Sequence, residues 1–140
     1  MKTRTADIRW DGRLRDGEGH IELESGAFSG PYSYGSRFEE AGGTNPEELI
    51  GAASAGCFTM ALALNLEEEG HPPEQLRTSA AVTLDPEALE IPTIELVVEG
   101  DVPGIDAAAF QAAAEAAKDE CPVSKALAGT DISVDATLVS

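Results

Sequence analysis

The sequence predicts an α+β fold in which antiparallel sheets of about six strands surround one long buried helix, with a second helix beside them. Two observations lead to this prediction. Short segments of alternating apolar and polar residues occur on both sides of the chain's centre, as in half-buried strands. Between them lies an almost unbroken apolar run, Leu49–Leu66, which is far too long for a strand. No linker or repeat interrupts this order, so residues 1–140 are predicted to form a single domain.

The first part of the chain predicts an antiparallel meander. Residues 3–10 alternate as in a strand, and residues 20–25 alternate again after turns at two Asp-Gly pairs. Residues 26–35 show no alternation and are predicted to form a loop or an irregular edge. Arg37 and Phe38 then follow in a short extended piece.

The central helix has recognisable ends. Thr44 and Asn45 offer capping oxygens and Pro46 suits the first turn, whereas Gly70 and two prolines stop the helix. Because its apolar residues do not keep to one stripe, we expect it to be buried on nearly all sides. Its length also suits a membrane span. The Ala- and Gly-rich composition and the acidic residues at both ends argue against that alternative.

The second half predicts two longer strands, two helices and a final strand. These are residues 75–84 and 93–102, a helix Ala107–Lys118 capped by Asp106, a short helix Val123–Leu127, and a strand over 131–138.

The composition excludes several classes of function. A formal net charge of −17 repels nucleic-acid phosphates and anionic lipid, so neither is expected as a primary partner. The two histidines and two cysteines have no metal-site spacing, and no glycine-rich loop predicts a nucleotide cofactor. The first residues lack the apolar segment of a secretory signal, so we expect a cytoplasmic protein.

Two cysteines are the candidates for chemistry. Cys57 lies in the middle of the apolar helix, where the simpler alternative is an inert core residue. Cys121 precedes Pro122, which places it at a helix N-cap that favours a thiolate; the simpler alternative is a capping residue that happens to be cysteine. Together, one rigidly held thiol and one at a more mobile helix start suggest an attacking and a resolving thiol.

These residues lie in segments that resemble the OsmC/Ohr family of thiol-dependent peroxidases. The similarity runs through residues 43–53, Gly56–Leu62 and Cys121–Ser124, and includes Glu24–Gly26 and Val102–Asp106. Arg37, within the segment Ser36–Glu39, places the chain nearer the OsmC branch. The resemblance implies an intertwined homodimer that reduces organic hydroperoxides, and hydrogen peroxide more slowly, to alcohol or water.

The resemblance also implies the roles of four residues. Arg37 stabilises the Cys57 thiolate and holds the peroxide, and Glu47 orients Arg37. Cys57 becomes a sulfenic acid, and Cys121 attacks it to form a disulfide. An external dithiol, typically on a lipoyl-bearing protein, then reduces this disulfide, and no bound cofactor is implied.

Helix geometry predicts where the active site forms. Glu47 and Cys57 are ten residues apart, which on a straight helix is about 15 Å along the axis. Small residues would let a second copy of the helix approach closely. They are Gly51, Ala52, Ala53, Ala55 and Gly56. We therefore predict active sites at the subunit interface, with residues from both chains.

Other interpretations stay open at this point. The aromatic and apolar residues near these positions either line a substrate pocket or are plain packing. They are Phe28, Tyr32, Tyr34, Phe38, Phe58 and Met60. The thiols could equally serve a redox sensor or a binding module without turnover, and a purely structural acidic domain is a third alternative.

Overall fold

The computed structural model describes residues 1–139. The elements, in chain order, are β1 Ala6–Asp11, β2 Glu18–Leu23, β3 Ser29–Tyr32, α1 Tyr34–Phe38, α2 Pro46–Glu68, β4 Gln75–Asp85, β5 Glu90–Asp101, α3 Ala107–Glu120, α4 Pro122–Ala126 and β6 Asp131–Leu138. The chain divides into two compact units, residues 1–49 and residues from Ile50 onward, and each is described by itself. The single domain predicted from the sequence stays a prediction.

The first unit contains an antiparallel sheet in the order β1-β2-β3. Strand β3 lies where a loop or an irregular edge was predicted. It is a short edge strand, and such strands accept the proline at position 31 without losing a needed hydrogen bond. The predicted extended piece at Arg37 is wrong, because this residue lies in helix α1. Ser33 caps that helix by accepting the Ser36 N–H at 3.0 Å.

Helix α2 begins and ends close to the predicted limits. The Glu48 N–H donates to Asn45 Oδ1 at 2.7 Å, so Asn45 is the capping residue. After the last turn, Gly70 takes the positive φ of 86° that favours glycine.

The expectation that α2 is buried on nearly all sides is wrong for the single chain. One face is fully buried, at Ser54, Phe58, Leu62 and Leu66. The opposite face is apolar but exposed, with Met60 76% accessible and Leu64 53%. Helix α2 is long and apolar enough to cross a bilayer, a test that core helices of globular proteins also pass. Within the single chain this apolar face of α2 is therefore in contact with solvent.

The second unit contains a mixed sheet in the order β4-β5-β6. Strands β4 and β5 are antiparallel, as predicted, but β5 and β6 are parallel. The prediction of purely antiparallel sheets is therefore wrong here. Because α3 and α4 lie between β5 and β6, the chain has the crossover length that a parallel pair requires.

The hydrophobic core belongs to the second unit. Residues of α2 and α3 pack with the inward-facing residues of β5 and β6. The buried members are Phe58, Leu62, Leu66, Ile94, Leu96, Val98, Val102, Phe110, Ala113, Ala114, Ala117 and Val134. This core fixes the helices that carry the two cysteines.

Replacing either of two buried serines by alanine is expected to change stability, in opposite directions. Ser54 is fully buried, and its hydroxyl has no hydrogen-bond partner within residues 1–139. Ser36 Oγ, by contrast, accepts the Ser33 N–H at 2.8 Å and donates to the Thr44 carbonyl at 2.7 Å. We expect Ser54→Ala to raise the free energy of unfolding by about 1 kcal/mol, because it removes an unpaired polar group. Ser36→Ala should lower it by about 2 kcal/mol, because it leaves buried partners unpaired.

Urea unfolding of each variant beside the parent chain measures both effects. The exposed Ser133, changed to alanine, is the matched control and should leave the midpoint within experimental error. A loss of stability in Ser54→Ala would contradict the prediction.

Candidate active site

The two cysteines meet in the second unit. Cys57 lies in α2 and Cys121 lies between α3 and α4, 64 residues later, and their sulfur atoms are 2.6 Å apart and share a hydrogen bond. Both are free thiols. Cys57 is partly exposed, whereas Cys121 is completely buried. At this separation, a small rearrangement is enough to join the sulfurs in a disulfide.

Cys121 occupies the N-cap of α4, as its place before Pro122 predicts. Its sulfur accepts the Ser124 N–H at 3.5 Å, and its own N–H closes α3 by donating to the Ala117 carbonyl at 3.0 Å. One residue therefore ends one helix and begins the next. Cys121 is completely buried at this position, and the greater mobility expected of this helix start stays a prediction.

The two thiols have opposite pKa shifts. Burial raises the pKa of the Cys57 thiol, and its hydrogen bond with Cys121 raises it further, against a smaller opposing effect of the Val123 N–H. Burial acts in the same direction on Cys121. The hydrogen bonds from Cys57 and from Ser124 outweigh it, so the pKa of Cys121 is lowered. When the pair loses one proton, the negative charge is therefore better accommodated at Cys121. A thiolate at Cys57 needs a further positive group.

The first unit holds an arginine in a fixed position. Arg37 Nε and Nη2 donate to the two carboxylate oxygens of Glu47 at 3.0 and 2.9 Å. The Glu47 side chain is only 10% exposed, whereas that of Arg37 is 36% exposed. This two-point contact fixes the plane of the guanidinium and leaves part of it accessible.

Aromatic side chains next to Arg37 complete this arrangement. The guanidinium lies 5.3 Å from the centre of the Phe38 ring, and Phe38 contacts Tyr34 at 4.9 Å between ring centres. Arg15 covers the Tyr34 ring at 4.7 Å. Sequence reasoning missed Arg15. The only available signal was the spacing of Tyr34 and Phe38, which places both on one side of a helix once α1 is recognised.

Several predicted neighbours have other positions. Phe58 is completely buried in the core, so packing explains it, whereas Met60 lies on the exposed face of α2. Gly51 lies against Ala80 and Val82 of β4, so it is not available to a second helix. Ala52, Ala53 and Gly56 are exposed and remain available.

Each unit thus contains one chemical pair. The thiols can lose two hydrogens and close a disulfide, and the Arg37–Glu47 pair presents a fixed cation. Residues 1–139 contain no group of three or more His, Cys, Asp or Glu side chains arranged to hold a metal ion.

Comparisons with known proteins agree on one family. The family model for OsmC-like proteins matches residues 39–136. The chain is 46% identical to the Peroxiredoxin OsmC of Escherichia coli over 134 residues, covering 94% of this chain and 93% of that protein. The Shigella flexneri Peroxiredoxin OsmC matches with the same values.

Solved structures have the same fold. The organic hydroperoxide resistance protein OhrB of Bacillus subtilis is 26% identical, with a TM-score of 0.66 over 96% of this chain and 97% of that one. The organic hydroperoxide resistance protein of Elizabethkingia anophelis is 25% identical, with a TM-score of 0.68 over 99% and 98%. The chain therefore belongs to the OsmC family, and this kinship supports a peroxide-related redox enzyme.

Proposed function

We propose that the chain is a thiol-dependent peroxidase that reduces organic hydroperoxides, and hydrogen peroxide less well, with electrons from an external dithiol. The observation that carries the proposal is the 2.6 Å separation of Cys57 and Cys121, two sulfurs that lie far apart in the sequence. Kinship to proteins named peroxiredoxin and organic hydroperoxide resistance protein supports the class of substrate.

The oxidative half of the cycle uses Cys57 as the nucleophile. Its thiolate attacks one peroxide oxygen, the O–O bond breaks, and the other oxygen leaves with the electron pair and is protonated to an alcohol or water. Cys57 is left as a sulfenic acid. Cys121 Sγ attacks that sulfur, the S–O bond breaks, water leaves and a disulfide remains.

The cation that this reaction needs is Arg37. Burial raises the pKa of Cys57, which lowers the fraction of thiolate at neutral pH, and a nearby positive group would raise that fraction. A guanidinium held flat by Glu47 meets this need, and it also stabilises the charge on the departing oxygen.

We further propose that this cation comes from a second copy of the chain in a homodimer. Helix α2 is unbroken from Pro46 to Glu68, so Glu47 lies about 15 Å along the helix axis from Cys57. The exposed apolar face of α2 provides the surface on which a second copy packs, and its small residues permit a close approach.

The remaining partners follow from the same chemistry. The reductant is an external dithiol, with a lipoyl-bearing protein as the candidate, and the setting is the cytoplasm, where thiols are kept reduced. Nucleic acid and membrane lipid are not proposed as partners, because the net charge of −17 repels both.

Intact mass and turnover test the proposal. One equivalent of cumene hydroperoxide should remove two hydrogens from the chain, and dihydrolipoamide should restore them and sustain continued peroxide consumption. A redox sensor would be oxidised once without turnover even when the dithiol is supplied. An unchanged mass would leave only a structural role and would overturn the proposal.

A further inference from the structure

The disulfide of Cys57 and Cys121 offers a reducing thiol two sulfurs to attack, and the structure distinguishes them. Cys121 has no exposed surface, whereas Cys57 is partly exposed. An incoming thiolate must approach the sulfur it attacks along the S–S axis, so access decides which sulfur it reaches. Within one chain Cys57 is the accessible sulfur, and in the proposed dimer the opening that admits the hydroperoxide to Cys57 must also admit the reducing thiol.

The leaving group points to the same assignment. The sulfur that leaves carries the electron pair of the broken bond, and it leaves faster when its thiolate is better stabilised. Cys121 Sγ accepts the Ser124 N–H at 3.5 Å, and despite burial, hydrogen bonds from Ser124 and Val123, which do not depend on the Cys57 proton, act to lower its pKa. For Cys57 the largest cause is burial, which raises its pKa.

Ser124 adds a second donor at the same sulfur. Its hydroxyl oxygen is buried, forms no well-aligned hydrogen bond with any group in residues 1–139, and lies near enough to Cys121 Sγ to help lower the pKa of that thiol. A full negative charge on Cys121 Sγ, three residues before it, would strengthen this weak contact into a charge-assisted hydrogen bond.

We propose that the reducing dithiol attacks Cys57 Sγ, that Cys121 leaves as the thiolate, and that Ser124 is the positioning residue that stabilises it. This inference rests on the proposed disulfide cycle. One reductant sulfur bonds to Cys57 as the bond between the two cysteines breaks, and the electron pair goes to Cys121. The second reductant thiolate then attacks the first reductant sulfur, which closes the reductant's own disulfide and releases Cys57. The dithiol loses two electrons and two protons, and the chain regains two thiols.

A monothiol reductant traps the mixed disulfide on the cysteine that it attacks, so that this cysteine can be identified. The chain is oxidised with diamide, mixed briefly with 2-mercaptoethanol, quenched and denatured in acid, and its free thiol is alkylated with N-ethylmaleimide. Trypsin separates the two sites, because Cys57 lies in the peptide 38–77 and Cys121 in the peptide 119–125. We expect the mercaptoethanol adduct on 38–77 and the alkyl group on 119–125. The reverse distribution, or a chain whose thiols diamide does not join, would overturn the inference.

Ser124 variants test the leaving group separately. Ser124→Ala should slow the reduction of the disulfide by mercaptoethanol about threefold to tenfold, and Ser124→Thr, which keeps the hydroxyl, should restore the rate. The exposed Ser133→Ala is the matched control. Equal rates for Ser124→Ala and Ser133→Ala would overturn the role of Ser124. Because diamide rather than a hydroperoxide forms the disulfide, these measurements do not depend on whether the chain reduces hydroperoxides.

Discussion

Cys57→Ser is expected to abolish hydroperoxide reduction, with kcat/KM for cumene hydroperoxide lowered about 10³-fold or more. A serine hydroxyl stays protonated at neutral pH and is a poor nucleophile toward the O–O bond, whereas a thiolate attacks it directly. Peroxide consumption with dihydrolipoamide as reductant measures the effect. Retention of more than a small fraction of the activity would show that another group performs the first step.

Cys121→Ala is the matched control for this variant, because it keeps the nucleophile and removes its partner. One equivalent of peroxide should leave the chain as a sulfenic acid on Cys57, detectable as one added oxygen, without a disulfide.

Loss of Cys121 also removes the hydrogen bond and the negative charge that raise the pKa of Cys57, although burial still raises it. The thiolate is the reactive form, so the rate at which peroxide oxidises Cys57 increases with pH. In Cys121→Ala this increase should occur at lower pH than in the parent chain. Oxidation rates followed by rapid-quench mass spectrometry across the pH range measure this shift.

The sequence predicted best the features that depend on neighbouring residues. Asp106 and Cys121 cap their helices where the sequence placed them, and Asn45 caps α2. A capping oxygen or sulfur acts on N–H groups two or three residues ahead, so the whole interaction lies within a few positions of sequence. The limits of these helices could be predicted for the same reason.

Features set by distant pairing were predicted less well. Strand β3 is a four-residue edge strand containing a proline, and its hydrogen bonds are with β2 rather than with its own neighbours in sequence. The parallel pairing of β6 with β5 depends on a crossover through two helices, which alternation within β6 does not reveal. The meeting of the two sulfurs was expected from the family resemblance rather than from local pattern, since residues 64 apart come together only because α2 and α3 pack in one core.

The apolar pattern of α2 was identified correctly, but it did not show what covers each face. An apolar residue pattern indicates that a surface is buried away from water. The pattern is the same whether that surface packs against the protein's own sheet or against a second copy of the chain. The buried face at Phe58 and Leu62 packs within the chain, and the face at Met60 and Leu64 does not. This difference is the strongest physical reason for expecting a dimer.

Mixing two inactive variants tests whether the dimer completes each active site. Cys57→Ser keeps Arg37 but has no nucleophile, and Arg37→Met keeps both thiols but has no cation. If Arg37 of one chain serves Cys57 of the other, a heterodimer of these variants contains one site with every group intact and one site that lacks both the nucleophile and the cation. About half of the molecules in an equal mixture are heterodimers, so exchanged subunits should recover about a quarter of the parent activity.

A mixture of Cys57→Ser with Cys121→Ser is the control. The two sulfurs approach to 2.6 Å within one chain, so no combination of these subunits restores a complete pair, and the mixture should be no more active than its two components measured separately. Co-expression with two affinity tags isolates the heterodimers, and turnover with dihydrolipoamide measures them. If purified Cys57→Ser and Arg37→Met heterodimers are inactive while each chain folds and dimerises normally, each chain uses its own arginine. The exposed face of α2 would then explain assembly but not catalysis.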